Sequence, residues 1–115
     1  MLNIYHNPRC TKSRQTLALL TERGLSPDII LYLDEPLGEA QIKALLGKLG
    51  FDDPRALMRK GEADYKALNL KAEPNPAALI KAMADYPKLI ERPIVETAST
   101  ARIGRPPEQV LQILE

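Results

Sequence analysis

The chain has 115 residues, of which 44% are hydrophobic and 27% are charged, a composition typical of one globular domain. Its 16 lysine and arginine residues are nearly balanced by 15 aspartate and glutamate residues, and the formal net charge of +1 argues against non-specific binding to nucleic acid. No apolar run approaches the roughly 20 residues that a membrane-spanning helix needs. We therefore expect neither nucleic acid nor a membrane as a partner.

The first residues indicate the cellular location of the protein, and the number of cysteines limits its possible disulfide and metal sites. Met1 to Tyr5 runs directly into His6-Asn7-Pro8 rather than into an apolar signal segment, which predicts a cytoplasmic location. The single cysteine, Cys10, excludes an internal disulfide, and with only one histidine in the chain it argues against a metal site. We predict no metal and no bound cofactor.

The first third of the chain predicts a strand–helix–strand unit. Leu2–Tyr5 is a short apolar run that a turn follows, which indicates a first strand. Thr11–Arg23 has helical periodicity, with Gly24 as its C-terminal stop. Asp28–Leu33 is almost continuously apolar, as expected of a strand that is covered on both faces.

The middle of the chain predicts helices only. Apolar residues recur at i, i+3, i+4 and i+7 before Gly50, namely Ile42, Leu45, Leu46 and Leu49. Shorter helices are predicted over Pro54–Lys60, Glu62–Leu68 and Pro76–Tyr86, the last with Leu79, Ile80 and Met83 as its buried stripe. Together these segments form a helical insertion at about residues 37–87.

The last segment returns to extended structure. Ile94–Thr97 and Ala101–Gly104 are close enough in sequence to form a hairpin, and Pro107–Leu114 predicts an amphipathic helix with Val110, Leu111 and Leu114 inward. The complete order predicts one α/β domain over residues 1–115. It is a small mixed sheet, βαβ followed by ββα, with the helical insertion between its two halves.

The cysteine lies in the turn between the first strand and the first helix. A thiol at a helix N-terminus is favoured as thiolate by the unpaired backbone N–H groups and the helix dipole. Arg9, Lys12 and Arg14 lie within four residues of Cys10, and cations there oppose the dipole unless an anion compensates them. The pattern favours a reactive thiol beside an oxyanion site over the alternative, an inert buried cysteine.

The neighbours of the cysteine limit the type of reaction. Thr16 occupies the position at which a Cys-x5-Arg phosphatase loop would need arginine, and Ser13 makes the motif Cys-x-x-Ser, which has no second thiol. An external thiol must therefore resolve any mixed intermediate. His6 is either a general base or electrostatic partner, or a turn residue bonded to backbone. The Ser13 hydroxyl either donates to the thiolate or satisfies backbone near the helix start.

Four ordered motifs extend this pattern over nearly the whole chain. They are His6-Asn7-Pro8-x-Cys10-x-x-Ser13-Arg14, Arg55-Ala56-Leu57-Met58-Arg59, Glu91-Arg92-Pro93-Ile94-Val95 and Arg102-Ile103-Gly104-Arg105-Pro106. In these motifs the sequence resembles the glutaredoxin-linked arsenate reductases, which belong to a thioredoxin-like fold group that also contains the Spx-type regulators. Between Cys10 and Ser13, the chain has Thr11 and Lys12 where the best-known reductases carry smaller, neutral residues.

The resemblance implies a role for each matched residue. Cys10 would be the catalytic nucleophile, and the oxyanion-binding arginines would be Arg59, Arg92 and Arg105. His6, Ser13 and Arg14 match the loop of the family and take supporting roles. Because Pro93 resembles the cis-proline that faces the active-site sulfur in thioredoxin-like folds, we predict a cis Arg92–Pro93 bond.

The resemblance also implies a reaction and its partners. The Cys10 thiolate would attack a bound arsenate, glutathione would attack the covalent adduct, and glutaredoxin would remove it as the arsenic is reduced to arsenite. Two alternatives stay open. One is an Spx-type regulator that binds RNA polymerase, although Ser13 replaces the second cysteine of that redox switch. The other is a general monothiol oxidoreductase that acts on glutathione mixed disulfides.

Overall fold

A computed structural model describes residues 1–114. The chain forms two compact units, one from Met1–Glu35 with the segment from Arg92 onward, the other from Pro36–Glu91. The elements in chain order are β1 (Leu2–Tyr5), α1 (Thr11–Glu22), β2 (Asp28–Ile30), α2 (Glu39–Leu49), α3 (Ala63–Ala67), α4 (Pro76–Asp85), β3 (Ile94–Thr97) and β4 (Ala101–Ile103). Short 3₁₀ helices cover Pro54–Leu57, Leu70–Ala72, Pro87–Leu89 and Pro107–Ile113. The predicted mixed α/β class is confirmed.

The first unit contains a four-stranded mixed sheet in the order β2-β1-β3-β4. Strand β1 is parallel to β2 and antiparallel to β3, so that Ile4 lies opposite Ile29 on one side and Val95 on the other. Strands β3 and β4 are antiparallel neighbours, which confirms the predicted hairpin. The sheet therefore brings the end of β1, where the thiol loop begins, next to the start of β3.

One face of this sheet carries the apolar core of the first unit. Ile4, Leu20, Val95 and Val110 are fully buried together, because α1 and the 3₁₀ helix Pro107–Ile113 pack on each other beside the sheet. The partly buried residues around this cluster are Leu2, Leu17, Leu19, Leu25, Ile113 and Leu114. Burying each large aliphatic side chain contributes about 1.5–3 kcal/mol. This packing fixes α1 along its length and so fixes the position of its N-terminus.

The prediction for the second strand was wrong in its length and its burial. Strand β2 spans only Asp28–Ile30, and it lies at the sheet edge, where Ile29 is 51% exposed. The strand therefore has a neighbour on one side only, and the exposure of Ile29 shows that its apolar run did not indicate cover on both faces. The strand ends because the Leu31 carbonyl accepts the N–H groups of Asp34 and Glu35 and turns the chain.

In the second unit, α2 packs against α4. The buried residues of α2 are the four that the periodicity predicts, Ile42, Leu45, Leu46 and Leu49. Those of α4 are Leu79, Ala82 and Met83, whereas the predicted Ile80 is only partly buried. The prediction of a helix over Pro54–Lys60 was also wrong beyond Leu57, because Met58 turns into an extended pairing with Ile90.

The helix ends follow the local sequence signals. After α1 ends at Glu22, the N–H groups of Arg23 and Gly24 bond back to the last turn, and Gly24 has a φ of 77° that glycine adopts without strain. Before α4, the Asn75 side chain accepts the Ala77 N–H group at 3.0 Å as an N-cap. None of the helices within residues 1–114 has the length and apolar character required to cross a bilayer.

Candidate active site

Cys10 is the N-cap residue of α1. Its backbone is extended, its carbonyl accepts the Arg14 N–H group in the first helical bond, and its own N–H group donates to the Asn7 carbonyl at 3.0 Å. The first turn of the helix contains no acidic side chain. The thiol therefore stands at the positive end of the helix dipole with no carboxylate in that turn to compete for it.

Hydrogen bonds tie the loop before Cys10 to the first turn of α1. The Asn7 side-chain oxygen accepts the Arg9 N–H group at 3.0 Å, and the Asn7 N–H group donates to the Ser13 hydroxyl at 3.0 Å. The Arg14 guanidinium donates to the Pro8 carbonyl at 2.8 Å. The loop is therefore held by its own polar groups, which keep the sulfur in one position.

His6 and Ser13 form a buried pair. His6 Nδ1 lies 2.6 Å from the Ser13 hydroxyl, and the two residues are 5% and 0% exposed. Burial, with the positive charge of Arg14, lowers the pKa of His6 from its ordinary value of 6.5. The Ser13 hydroxyl is thus engaged with the histidine ring and with the Asn7 N–H group.

Two of the three predicted arginines lie beside the sulfur. Nη2 of Arg105 donates to Cys10 Sγ at 3.7 Å, and Nε of the same side chain donates to the Arg92 carbonyl at 2.7 Å. Nε of Arg92 is buried and has no hydrogen-bond partner within residues 1–114. The predicted cis bond between Arg92 and Pro93 is confirmed, and the Arg105–Pro106 bond is cis as well.

Opposing influences act on the thiol, and their sum lowers the pKa of Cys10. Burial raises this pKa, since the cysteine is 8% exposed. The Ser13 backbone N–H group, the Arg92 guanidinium and the Lys12 backbone N–H group stabilise the thiolate and outweigh the burial. The result is a thiol that is largely covered and yet ionises more readily than an ordinary cysteine, as a nucleophile requires.

Gly104 is a site residue that the sequence analysis did not single out for a role. A Cβ atom at this position would lie 2.6 Å from Thr16 Oγ1 and 2.9 Å from Pro93 Cγ, closer than such atoms can approach. The Gly104 N–H group also donates to the Pro93 carbonyl at 2.9 Å. Glycine thus allows the chain that follows β4 to pass between Pro93 and Thr16 of α1 immediately before Arg105. A glycine that follows a β-branched residue and precedes Arg-Pro was the available signal.

Arg59, the third predicted arginine, belongs to the second unit. Its backbone N–H group donates to the Leu89 carbonyl at 2.7 Å, and its guanidinium forms an ion pair with Glu62, three residues later. The role of Arg59 in binding an oxyanion stays a prediction. Within residues 1–114, no group of three or more histidine, cysteine, aspartate or glutamate side chains is arranged to hold a metal ion.

Several solved structures have the same architecture as this chain. The arsenate reductase from Vibrio cholerae superposes with a TM-score of 0.95 at 51% identity, over 97% of this chain and 96% of that one. The YFFB (PA3664) protein superposes with a TM-score of 0.83 at 18% identity, over the full length of both chains. The fold is thioredoxin-like, as the resemblance implied.

Sequence comparison gives the same assignment. The arsenate reductase of Haemophilus influenzae is 49% identical over 112 residues, which cover 96% of this chain and 97% of that protein. The arsenate reductase of Neisseria meningitidis is 44% identical over 115 residues, which cover 98% and 97% of the two chains. The model of the ArsC family matches residues 5–113. With the thiol loop and the Arg-Pro motifs included in that match, this chain belongs to the ArsC family.

Proposed function

We propose that this protein reduces arsenate to arsenite through a covalent adduct on Cys10, with glutathione and glutaredoxin as the external thiols. The observation that carries the proposal is the environment of the sulfur: Nη2 of Arg105 at 3.7 Å, and an Arg92 guanidinium that favours the thiolate. Relatives at 44–49% identity that carry the name arsenate reductase support this choice of substrate.

The arginines fit a tetrahedral oxyanion. A guanidinium is planar, stays charged at neutral pH and offers parallel N–H groups to two oxygens at once. The buried Nε of Arg92 has no partner within residues 1–114, so it is a donor that an arsenate oxygen can satisfy. Arg105 holds its orientation by donating to the Arg92 carbonyl. A role for Arg59 as a third oxyanion-binding arginine rests on the family resemblance alone.

The first step forms a sulfur–arsenic bond. The Cys10 thiolate attacks the arsenic(V) centre, and one arsenate oxygen, protonated, leaves as water while Arg92 and Arg105 offset the charge on the remaining oxygens. Glutathione then displaces a second oxygen as water, which leaves arsenic(V) bonded to both sulfurs. No electrons have been transferred to the arsenic at this stage.

Reduction occurs in the next step. The glutaredoxin thiolate attacks the glutathione sulfur, the electron pair of the arsenic–glutathione bond remains on arsenic, and a glutathione–glutaredoxin mixed disulfide leaves. The arsenic(III) that is left on Cys10 is released by water as arsenite, and Cys10 recovers its thiol. Two thiols are oxidised to one disulfide for each two-electron reduction of arsenic. The chain needs no second cysteine, since both reducing sulfurs come from outside.

The test is turnover of the purified protein with arsenate, glutathione, glutaredoxin, glutathione reductase and NADPH. We expect NADPH oxidation that requires arsenate and is absent for Cys10→Ser, which keeps the size of the side chain but removes the nucleophilic sulfur. Parallel reactions with phosphate, sulfate and selenate measure the choice of oxyanion. Turnover in Cys10→Ser equal to that of the wild type would refute the proposal, as would a wild-type protein inactive on arsenate but active on glutathione mixed disulfides.

A further inference from the structure

A basic pocket in the second unit takes no part in the proposed reaction. It has a volume of about 580 Å³ and is lined by Arg55, Lys60, Tyr65, Lys66, Asn69 and Lys71. This volume lies within the range of small-molecule sites, roughly 300–1,000 Å³. Four of the six lining residues are cations and none is an anion. The charged groups of this pocket therefore favour an anion over a cation as its ligand.

Arg55 builds one wall of this pocket. Its Nε donates to the Leu70 carbonyl at 3.0 Å, its Nη2 donates to the Glu73 carbonyl, and its Nη1 pairs with the Asp53 carboxylate at 3.3 Å. These bonds fix the 3₁₀ helix Leu70–Ala72, which carries Lys71, against the Pro54–Leu57 segment. The role of Arg55 is structural, and its own charge is already partly compensated by Asp53.

The lysines of the pocket are not compensated in this way. Within residues 1–114, Lys66 and Lys71 have no ion-pair or hydrogen-bond partner for their ammonium groups, and Lys60 acts only at longer range on Asp53. Two of the acidic side chains nearby in sequence are engaged elsewhere. Glu62 pairs with Arg59, and Glu73 accepts the Asn75 N–H group at 3.2 Å.

The other polar groups of the pocket are suited to an anion as well. Tyr65 is 7% exposed and its hydroxyl has no hydrogen-bond partner within residues 1–114. Asn69, held in a left-handed turn with a φ of 51°, adds an amide that can donate. Lysine ammonium groups donate three hydrogen bonds and accept none. The hydrogen-bonding groups of the pocket are thus mostly donors, and they come from separate segments of the chain.

We propose that this pocket binds a phosphate chain, a diphosphate or triphosphate group, either free or carried by a nucleotide. Three lysines from different segments match an anion whose charges are spread along a chain better than one compact monoanion, because each ammonium acts as a separate point charge. This site is distinct from the thiol loop. Its occupation requires none of the residues assigned to the arsenate reaction.

The first experiment is a calorimetric titration of the 115-residue chain with pyrophosphate, tripolyphosphate, ATP and orthophosphate at constant ionic strength. We expect the di- and triphosphate probes to bind more tightly than orthophosphate, with affinity that falls as salt increases. Equal affinity for ATP and tripolyphosphate would identify the phosphate chain as the ligand, whereas a clear preference for ATP would add the nucleoside. No binding of any of these probes overturns the proposal.

Matched variants locate the binding. Lys66→Gln combined with Lys71→Gln should weaken the binding of tripolyphosphate by about tenfold or more, since two charge-assisted contacts are lost. Lys43→Gln combined with Lys88→Gln removes the same charge from exposed positions of the same unit and should leave affinity within about twofold of wild type. Equal losses in the two pairs would indicate a general charge effect and overturn the proposal.

Two further experiments test whether the anion binds in this pocket rather than at the thiol loop, and whether the pocket binds polyphosphate rather than acidic peptides. In Arg92→Ala/Arg105→Ala, tripolyphosphate should bind as it does to the wild type, and loss of binding there would place the anion at the thiol loop and contradict the proposal. A glutamate-rich peptide of matched charge should compete weakly. Competition as strong as that of tripolyphosphate would identify the pocket as a docking surface for acidic protein segments, which would also contradict it.

Discussion

The thiol loop and the basic pocket both collect cations, but they hold them differently. Around Cys10, the arginines are fixed by backbone: Arg14 donates to the Pro8 carbonyl and Arg105 to the Arg92 carbonyl. In the pocket of the second unit, the ammonium groups of Lys66 and Lys71 have no partner within residues 1–114. The first region presents its charges in one geometry, while the second leaves them on flexible side chains.

This difference suits the two proposed functions. A bond-forming step depends on reacting atoms held within fractions of an ångström, and a displacement of about 1 Å can cost a hundredfold in rate. Reversible capture of a polyanion depends mainly on summed charge, and flexible lysines supply it at the cost of side-chain entropy. Substitutions in the first region should therefore change reactivity, and in the second only affinity.

The largest effect is expected from removing the guanidinium that favours the thiolate, in Arg92→Gln. The Arg92 guanidinium lowers the pKa of Cys10, so its loss raises that pKa and decreases the thiolate fraction at neutral pH. We expect arsenate turnover to fall by about a hundredfold. The pH dependence of alkylation by iodoacetamide should shift to higher pH, and that shift can be measured without arsenate.

The control is Arg102→Gln, which removes an arginine from β4 that bonds to the side chain of Gln112 and the Ala101 carbonyl. The alkylation profile of this variant should overlay the wild-type profile. If both variants shift the profile equally, the pKa of Cys10 responds to total charge rather than to the Arg92 guanidinium beside the sulfur.

The next effect concerns the backbone that carries Arg105. In Gly104→Ala the new methyl group would meet Thr16 Oγ1 and Pro93 Cγ at 2.6 and 2.9 Å, so the strand must move away from α1. We expect a loss of about 1–3 kcal/mol in the free energy of unfolding. Turnover should fall by about tenfold or more as Arg105 is displaced from the sulfur.

A second substitution separates this steric effect from a general loss of stability. Thr16→Ala removes the nearest clashing atom, so Gly104→Ala/Thr16→Ala should recover part of both the stability and the turnover. Chemical denaturation and the coupled assay on the four proteins of the cycle measure the coupling. Strictly additive effects would contradict the contact between Gly104 and Thr16.

Gly104 also illustrates what could be predicted from the sequence. The position of Cys10 at the N-terminus of α1 was predicted correctly, because a lone thiol between a strand and a helix is a local signal. The cis bond before Pro93 followed from the family motif. The close approach of β4 to α1 joins residues almost ninety positions apart, and only packing specifies it. The exposed edge position of β2 was missed for the same reason, since composition cannot show which strand has one neighbour.

A smaller effect is expected from the buried pair His6 and Ser13. Because the pKa of His6 is lowered in the folded state, the unfolded chain binds the proton more readily. The stabilisation that neutral His6 provides is complete above about pH 6.5. It is lost as the pH falls from there through the lowered folded-state value.

The measurement is the free energy of unfolding at pH 7.5 and pH 5 for wild type and His6→Gln. The wild type should lose more stability between these values than the variant, whose side chain does not titrate. The change between the two pH values is compared, so any constant cost of the substitution cancels. An equal loss in both proteins would assign the acid sensitivity to other groups.

The smallest effect tests whether the second unit can be weakened without changing the thiol. The Asn75 side chain caps α4 by accepting the Ala77 N–H group, and Asn75→Ala leaves that donor unsatisfied. We expect a loss of about 1 kcal/mol in the free energy of unfolding, with Asn75→Ser retaining most of the stability because a serine hydroxyl can accept the same bond. The alkylation profile of Cys10 should not move, since the groups that lower its pKa are backbone N–H groups of α1 and the Arg92 guanidinium. A shift of that profile in Asn75→Ala would mean that the ionisation of Cys10 depends on the stability of the second unit. The conclusion that the two regions act independently would then be incorrect.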